Sequence, residues 1–372
     1  MRHLSLLLLF CLEVICHSPN VNVTTNACGE GNPVRVLITG ISGMIGSHVT
    51  RALLGRKGCS YKIFGLVRPR TDLSALAGML SSVELVLGDI TDSVRMVEVL
   101  KFSSPALVFH FAAQAINGIS FQMAHLSLNT NVQGTLNVLE AIQLLDSKPR
   151  VLIAGSSTEY GNTAESHGGP IPENVVLEPV SPYGISKLAT ERLADLYWKT
   201  YGVKTVTARL FIHVGVGGTD SLAIHEFCKR IVFAELGLGQ PVVVHGNLES
   251  FRDMTDASDS SSTLIDLALT GMPGESYNVG SGTSMKIKEL LDIAISYSTL
   301  KNVTTKFEKS RMRAFDEKML VANISKLQKL TGWIPKPDMH STVRKILDYW
   351  RWKIRALYCF NQVCGKIEKS LT

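Results

Sequence analysis

The chain of 372 residues lacks the features that mark several classes of protein. Its apolar run from Leu4 to Cys16 is broken by Glu13 and is too short to cross a bilayer as a helix, so no membrane span is expected. Aromatic residues make up only 7% and are not interleaved with a basic stripe, so nucleic-acid binding is not expected. No spacing of Cys and His predicts a metal site, and the chain has no internal repeat or low-complexity tract.

Cysteine is also scarce, with seven in the chain, and two of these lie before residue 17. An odd number remains, so the sequence indicates no regular disulfide framework. Cys59 and Cys228 are expected to pack as small apolar residues. Cys359 and Cys364 are candidates for a bridge in an oxidising compartment.

The first residues resemble a secretory signal, because Met1-Arg2-His3 precedes the apolar run and polar residues follow from His17. This order predicts a signal peptide at 1–19 and a polar leader at 20–33. The protein would then enter the secretory pathway, to reside in the ER or Golgi lumen or be secreted. The alternative is a misassigned start codon ahead of a cytoplasmic enzyme.

The most informative pattern is Tyr183-Gly-Ile-Ser-Lys187, preceded by Gly155-Ser-Ser. A Tyr and a Lys four positions apart lie on one face of a helix, one turn from each other. A fixed ammonium beside a phenol favours the phenolate and lowers a pKa that is ordinarily about 10. The pair is therefore expected to transfer a proton near neutral pH, as hydride chemistry at a carbinol or ketone requires.

A glycine-rich turn upstream provides the second signal. A short apolar run ends at Thr39, and Gly40, Gly43 and Gly46 then lead into a helical pattern. Strand, glycine turn and helix predict a dinucleotide site. Gly40 would allow the tight turn, Gly43 would let the backbone approach a pyrophosphate, and Gly46 would let the helix pack on the strand. The start of the helix would offer free N–H groups to the phosphates.

Strands and helices alternate from residue 34 onward. The expected strands are 34–39, 61–67, 83–87, 106–110, 150–155 and 203–210, and the long helical patterns fall near 43–55, 124–145 and 182–201. This alternation predicts a doubly wound parallel (Rossmann) sheet of the α/β class. Beyond residue 212 the expected elements are a helix near 220–236, a strand at 241–245 and helices near 257–270, 286–297, 323–331 and 340–356.

Seven landmarks occur in order, and together they resemble the extended short-chain dehydrogenase/reductase family, which includes nucleotide-sugar epimerases and dehydratases. They are Thr39-Gly40-x-x-Gly43-x-x-Gly46, Leu87-Gly88-Asp89-Ile90, His110-Phe-Ala-Ala-Gln114, Asn131-Val-x-Gly134-Thr135, Gly155-Ser-Ser, Tyr183-x-x-x-Lys187 and Tyr277-Asn278-Val279-Gly280. The resemblance, which runs from about residue 34 to about 351, implies a Rossmann domain at 34–211 and a smaller α/β substrate lobe at 212–351. It also implies that 276–280 return to the main sheet, and a basic tail remains at 352–372.

Two stretches, 246–256 and 346–351, look most like the GDP-sugar branch of this family, with its GDP-mannose dehydratases and GDP-4-keto-6-deoxymannose reductases. The resemblance therefore implies a GDP-linked hexose as the substrate. It also implies a homodimer built on a pair of helices.

The end of the second strand bears on the choice of cofactor. An acidic residue there would bind the ribose 2′-hydroxyl, but the chain has Arg68 and Arg70, which would hold a 2′-phosphate, so NADP(H) is favoured over NAD(H). The alternative is that both are solvated loop charges, with Asp72 as a late ribose acid. The resemblance implies that Asp89 accepts a bond from the adenine amino group; otherwise it caps a helix. Further residues expected at the cofactor are Met44, Ile45, Ile90, Ala112, Ala113, Tyr183 and Lys187.

The substrate pyrophosphate needs cations, and Arg252 is the main candidate, with Lys229 and Arg311 as further ones. The alternative for each is an ordinary surface cation. One position departs from the family, because Ile212 stands where an Asn amide contacts the sugar or its phosphate. Asn117, in the loop after the fourth strand, would compensate. Three histidines in apolar surroundings are interpreted as satisfied core residues: His110, His213 and His245.

The resemblance implies that Ser156 is the catalytic hydroxyl, which would hydrogen-bond the sugar's 4-oxygen. Ser157 is the rival, and it is otherwise expected to bind substrate. Dehydratases of the family have a Glu two residues after the catalytic hydroxyl, and this chain has Thr158. Glu159 is adjacent, but in an extended segment it would point to the opposite face. The sequence therefore favours a reductase or an epimerase over a dehydratase.

The leading hypothesis is an NADP(H)-dependent reductase of a GDP-linked 4-keto-6-deoxyhexose. Tyr183 would donate the proton, Lys187 would lower the phenol pKa and bind ribose, and Ser156 would orient the ketone. The second is 4-epimerisation, or dehydration of GDP-mannose with Glu159 acting from an unexpected position. The third is an NAD(P)-binding protein that is no longer an enzyme, for which Ile212 is the main support.

Overall fold

The computed structural model describes residues 32–312, 319–336 and 338–371. The predicted signal peptide and most of the predicted leader lie outside these residues. The strands are β1 Val34–Thr39, β2 Tyr61–Val67, β3 Val83–Leu87, β4 Leu107–His110, β5 Arg150–Ser156, β6 Thr205–Leu210, β7 Ile212–Val214, β8 Val242–His245, β9 Phe251–Arg252, β10 Met254–Asp256, β11 Ser276–Val279, β12 Met285–Lys286, β13 Thr304–Phe307 and β14 Met319–Leu320. The helices are α1 Met44–Gly55, α2 Ser93–Ser103, α3 Asn117–Ser120, α4 Ala124–Leu128, α5 Gly134–Gln143, α6 Asn162–His167, α7 Pro182–Tyr201, α8 Ala223–Glu235, α9 Ala257–Thr270, α10 Ile287–Ser296, α11 Ser325–Thr331 and α12 Met339–Leu371.

Seven strands form one sheet in the order β11-β6-β5-β4-β1-β2-β3. All neighbouring pairs in this sheet are parallel. The direction of winding reverses between β1 and β4, and ligands bind at such a switch point in doubly wound sheets. The predicted doubly wound α/β fold is therefore confirmed. β11 pairs with β6 at the sheet edge, so the chain returns from the second lobe to the main sheet.

The sheet is covered on both faces because side chains alternate along each strand. On β1, Val36 and Ile38 pack in a core shared with α1, α9 and α11. Leu37, between them, packs on the other face in a core shared with α2, α5 and α7. Burial on both faces explains why the central strands read as continuous apolar runs.

The second lobe packs α8, α10 and α12 around a separate apolar core. Phe227 of α8, Leu291 of α10 and Ile346 of α12 are buried together there. Three small sheets support this lobe; they pair β7 with β10, β8 with β13, and β9 with both β12 and β14. In the part of the chain that the structure describes, no helix has both the length and the apolar character to cross a membrane.

The helix expected near 124–145 is interrupted by a π-helical turn, Asn129–Gln133, between α4 and α5. Such turns insert an extra residue and are frequent at functional sites. Here the turn carries Asn131, whose Oδ1 accepts from the Gln114 backbone N–H at 2.7 Å. The Asn131 Nδ2 donates to Ser186 Oγ of α7 at 2.8 Å. The turn thus ties the loop after β4 to the helix that carries Tyr183.

The helix expected near 340–356 is longer than predicted, because α12 continues through the predicted basic tail to Leu371. The expectation for Cys59 requires correction. Cys59 is disulfide-bonded and does not pack as a free thiol. Cys228 is buried and free, as expected. The side chains of Cys359 and Cys364 lie outside what the structure describes, so their bridge stays a prediction.

Candidate active site

A cleft of about 1680 Å³ lies at the carboxyl ends of the central strands, between the sheet and the second lobe. This volume exceeds the ~300–1,000 Å³ of an ordinary small-molecule pocket, and so suits two ligands side by side. Every residue predicted at the cofactor lines the cleft except Lys187, which is buried behind it. The predicted catalytic and substrate residues on the cleft are Asn117, Ser156, Ser157, Tyr183, Lys229, Arg252 and Arg311.

The glycine turn has the geometry of a phosphate cradle. Gly40 has φ +73°, in the left-handed region, and an added Cβ would come within 2.7 Å of the Ala112 backbone N. A Cβ on Gly46 would collide with the Gly40 carbonyl. At Gly43, the N-cap of α1, a Cβ would meet only the Gly40 carbonyl, at 3.3 Å. The backbone is therefore open to a ligand at the start of α1, where unpaired N–H groups favour phosphate.

A buried chain of hydrogen bonds shapes the cofactor wall behind this turn. The Thr135 hydroxyl donates to Asn131 O at 2.6 Å, so it accepts from His110 Nε2, at 3.0 Å. His110 Nδ1 then accepts from the Thr39 hydroxyl at 2.8 Å, which in turn accepts from the Ala112 N–H at 3.2 Å. Burial lowers the pKa of His110 to about 3, so the ring is neutral. His110 is the satisfied core histidine that was expected.

Asp89 lines the cleft just after the end of β3. This residue is not the N-cap of α2, since Asp92 has that place and accepts from the Arg95 N–H at 2.9 Å. Asp89 Oδ1 accepts from both the backbone N–H and the hydroxyl of Thr91, each at 2.9 Å. These bonds fix the carboxylate on the cleft wall. Its assignment to adenine remains a prediction.

The loop after β2 meets the second lobe at an ion pair that the sequence did not reveal. Lys353 of α12 donates to Asp72 Oδ2 at 2.7 Å, and its Nζ lies 3.2 Å from the Tyr349 hydroxyl. Burial alone would raise the pKa of Asp72, but the bonds from Lys353 and from the loop outweigh it and lower that pKa. Asp72 is thus neutralised by Lys353, and the exposed Arg68 and Arg70 lie on the same stretch of cleft.

Thr158 holds Ser156, the predicted catalytic hydroxyl. Ser156 ends β5, and its Oγ accepts from the Thr158 hydroxyl at 2.9 Å and from the Thr158 N–H at 3.2 Å. The hydroxyl hydrogen of Ser156 is thereby left for another acceptor. The hydrogen bond between Ser156 and Tyr183 tends to lower the pKa of the Tyr183 phenol. Residues Ser157–Glu159 form a 3₁₀ helix, which corrects the expectation of an extended segment.

The expected effect of Lys187 on Tyr183 requires correction. Burial raises the pKa of Tyr183 to about 12, and this outweighs the bond from Ser156. The Lys187 Nζ lies 5.9 Å from the centre of the Tyr183 ring and donates to Ala154 O at 2.7 Å. Burial also lowers the pKa of Lys187 to about 8. Tyr183 therefore keeps its proton at neutral pH, which suits a proton donor.

Glu159 lies behind Ser156 and away from the cleft. It is fully buried, and its Oε1 accepts from the Ser156 backbone N–H at 2.6 Å. Arg209 makes two bonds to Glu191, at 2.8 and 2.7 Å, and its Nε is 3.9 Å from Glu159 Oε2. Burial, and then the charge of Glu191, raise the pKa of Glu159 well above its usual value. This placement argues against Glu159 as an elimination acid in the cleft.

The three cations expected at the substrate differ in burial. Arg252 is buried, and its Nη1 donates to Phe251 O at 2.8 Å. Lys229 pairs with Asp220 at 2.7 Å, and Arg311 pairs with Glu226 at 2.6 Å, so both are anchored on the cleft wall. The Oδ1 of Asn117 is buried and makes no hydrogen bond.

His213 departs from its interpretation as a satisfied core histidine. Its Nδ1 lies 2.8 Å from Phe211 O, but its Nε2 is buried without a hydrogen-bond partner. The residue lines the cleft beside Ile212. The sequence offered only the adjacency of His213 to the missing Asn as a signal. In the part of the chain that is described, no group of His, Cys, Asp and Glu side chains could hold a metal ion.

Known proteins are similar to this chain in sequence and architecture. The family model described as GDP-mannose 4,6 dehydratase matches residues 37–346. A GDP-6-deoxy-D-mannose reductase of Pseudomonas aeruginosa is 29% identical over 321 residues, which cover 86% of this chain and 98% of that protein. A CDP-paratose 2-epimerase of Salmonella typhi is 26% identical, covering 85% and 99% of the two chains.

Solved structures agree with this family. The structure of RMD from Pseudomonas aeruginosa complexed with NADPH superposes with a TM-score of 0.71 at 25% identity, covering 86% of this chain and 100% of that one. MoeE5 in complex with UDP-glucuronic acid and NAD gives 0.71 at 26%, with 86% and 99% covered. The chain belongs to the GDP-mannose 4,6-dehydratase family and is an NAD(P)-dependent nucleotide-sugar enzyme of the extended short-chain dehydrogenase/reductase type.

Proposed function

We propose that the protein reduces the 4-keto group of a GDP-linked 6-deoxyhexose with NADPH. The observation that carries this proposal is the bond from the Thr158 hydroxyl to Ser156, at 2.9 Å. Thr158 occupies the place of the elimination Glu and supports the serine instead, while Glu159 is buried behind it. A reduction needs no elimination residue. The relative named as a GDP-6-deoxy-D-mannose reductase points to the same reaction.

The residues of the cleft fit the cofactor, since the open backbone at Gly43 can approach a pyrophosphate. When bound, the cofactor supplies the hydride. Tyr183 holds the proton that the reduced oxygen must receive, because burial keeps its pKa near 12. Ser156 orients the ketone with the hydroxyl hydrogen that Thr158 leaves free. Lys187 is partly charged near pH 8 and adds positive charge behind the phenol.

The preference for NADPH is supported by Arg68 and Arg70, two cations that line the cleft beside the ion pair of Lys353 and Asp72. A 2′-phosphate carries close to two negative charges, and guanidinium groups bind it well. Asp72 would repel this phosphate, but Lys353 neutralises its charge. The 2′-phosphate is therefore attracted by the two arginines, and the repulsion by Asp72 is cancelled.

The reaction is tested by following NADPH absorbance and sugar products with the purified protein. We expect consumption of NADPH with GDP-4-keto-6-deoxymannose and no reaction with GDP-mannose and NADP⁺. Ser156→Ala should lose on the order of 10²-fold or more in kcat, as for an oxyanion contact, while Ser157→Ala should retain activity far better. Conversion of GDP-mannose to its keto derivative, or epimerisation without added NADPH, would overturn the proposal.

We further propose a homodimer that forms through α7 and through the segment of α3 and α4 that packs against it. Ile185 and Leu196 are each 50% exposed and lie three turns apart on one face of α7. Phe121 and Leu128, near α7, are also exposed. Contiguous apolar surface of this kind marks interaction sites. Light scattering should give twice the chain mass, and Ile185→Glu should lower it; a monomeric wild type would refute the dimer.

We also propose that the enzyme works in an oxidising compartment of the secretory pathway. The disulfide at Cys59 supports this, because cytosolic thiols are kept reduced. The cationic and apolar N-terminal pattern points the same way. Expression with a fluorescent C-terminal fusion and non-reducing mass spectrometry test the proposal. A cytosolic protein with free Cys59 would refute it.

A further inference from the structure

Buried side-chain polar atoms without a hydrogen-bond partner are concentrated at the cleft. Among the described residues they are Asn117 Oδ1, Glu159 Oε2, His213 Nε2, Arg311 Nε and Trp333 Nε1. Asn117, His213 and Arg311 line the cleft, but Arg311 Nε lies 3.5 Å from Glu308 Oε2, so Asn117 Oδ1 and His213 Nε2 are the two of these atoms that need a partner. A buried polar atom that lacks a partner costs free energy, so such atoms on the wall of one cleft indicate contacts that a ligand completes.

The hydrogen bonding of His213 determines which kind of ligand atom it needs. Its Nδ1 lies 2.8 Å from Phe211 O, and a carbonyl only accepts, so Nδ1 carries the hydrogen. Burial lowers the pKa of the ring below its usual value, so the imidazole is neutral. Nε2 is therefore an acceptor with a free lone pair. It calls for a hydrogen-bond donor such as a hydroxyl, and not for a phosphate oxygen.

Other buried histidines show that this arrangement is specific to His213. Both nitrogens of His110 are paired, with Thr39 and Thr135. In His225, Nε2 lies 3.0 Å from Gly215 O, and Nδ1 accepts from the Trp350 indole at 3.2 Å. The fold thus satisfies core imidazoles completely away from the substrate side.

His213 lies on the part of the cleft near Ser156, where the sugar is proposed to bind. Leu210 pairs in register with Ser156 across β6 and β5. His213 follows three residues later, within about 10 Å along an extended chain. Its backbone is fixed, because β7 pairs with β10 and sets His213 opposite Thr255. Ile212, beside it, presents no hydrogen-bonding group.

We propose that His213 binds the substrate, with Nε2 accepting a hydrogen bond from a hydroxyl of the nucleotide-linked hexose. The imidazole supplies the polar contact that Ile212 does not make. This inference rests on the proposed function only in taking a nucleotide sugar as the ligand. It is independent of the direction of the redox reaction, and binding measurements test it without turnover.

His213→Asn tests the roles of the two ring nitrogens separately. An Asn amide can keep the donor toward Phe211 O, but it removes the acceptor at the Nε2 position. We expect calorimetry on the full-length protein to show about tenfold weaker binding of GDP-mannose, while binding of GDP, which has no hexose, stays unchanged. His213→Gln, which can place an oxygen near the Nε2 position, should recover part of the loss. NADPH affinity and Tm of His213→Asn should match wild type.

His48→Gln is the matched control. It keeps a donor toward Val216 O, which lies 3.1 Å from His48 Nε2, and removes a ring nitrogen outside the cleft. GDP-mannose affinity should stay within twofold. Equal weakening of GDP and GDP-mannose by His213→Asn, or no weakening of either, would overturn the role of His213. Should the protein bind UDP-glucose instead, the comparison of UDP-glucose with UDP decides the same question, even though the reductase proposal would have failed.

Discussion

Substitutions of Glu159 test the charge arrangement behind Ser156, the proposed catalytic serine. Two carboxyl groups, of Glu159 and Glu191, lie beside one guanidinium, and the two hydrogen bonds that Arg209 makes to a carboxylate both go to Glu191. Glu159 Oε2 has no partner as a carboxylate. A buried, unpaired carboxylate is too costly to persist, so Glu159 carries a proton, which it can share with Glu191.

Glu159→Gln imitates the protonated acid. Its Oε1 can still accept from the Ser156 N–H, a bond of 2.6 Å in the wild type, and its amide can donate toward Glu191. Near the unfolded pKa, at about pH 4.5, we expect the free energy of unfolding to stay within about 1 kcal/mol of wild type. Glu159→Leu removes the acceptor from a buried N–H and should cost about 1–3 kcal/mol. If Glu159 were ionised and paired with Arg209, either change would instead cost about 3–5 kcal/mol.

The pH dependence provides the decisive assay. The fold raises the pKa of Glu159. The contribution of protonated Glu159 to the free energy of unfolding is therefore fully present below the pKa of about 4.3 that it has in the unfolded chain. This contribution is lost as pH rises through the pKa of Glu159 in the folded protein. Gln does not titrate. Urea unfolding at pH 5, 6.5 and 8 should therefore show Glu159→Gln gaining stability relative to wild type as pH rises. A constant difference, or a relative loss, would refute a protonated Glu159.

Three further predictions concern the catalytic and cofactor residues. Tyr183→Phe should bind NADPH as wild type does and lose on the order of 10²–10⁴-fold in rate; wild-type turnover would contradict its role as proton donor. Because burial lowers the pKa of Lys187 to about 8, the rate of reduction should fall as pH rises through this value. A rate that stays constant to pH 10 would exclude a role for the positive charge of Lys187. Lys353→Met should weaken NADPH binding several-fold with little effect on NADH, measured by nucleotide fluorescence, and Asp72→Asn should strengthen NADPH binding. Arg355→Met, on the same helix but outside the cleft, is the control, and equal loss of both nucleotides in Lys353→Met would count against the phosphate assignment.

Local patterns were sufficient to predict most of the fold. The bounds of β1, β2 and β3 match the expected strands, because each is a short apolar run closed by polar or glycine residues. The strand expected from residue 203 begins at Thr205, since the Val203 N–H still bonds to Tyr197 O at the end of α7. The π-helical turn could not be predicted in this way, because the extra residue is held by tertiary bonds of Asn131.

The candidate site was predictable where a motif is contiguous in the chain, as in the glycine turn. It was not predictable where distant segments meet. Lys353 and Asp72 are 281 positions apart, and nothing in either segment indicates the other. The unpaired nitrogen of His213 likewise depends on what surrounds the ring, and the sequence shows only an apolar neighbourhood.

The error over Tyr183 has the same origin and bears on mechanism. Spacing shows that Lys187 lies one turn from the phenol, but it does not show that both groups are buried. Burial disfavours the charged form of each, so it raises the pKa of the phenol and lowers that of the amine. The charge state of Glu159 matters here, because a negative charge at that place raises the pKa of both groups. Burial thus keeps a proton on Tyr183 at neutral pH, which is the state that reduction of a ketone requires.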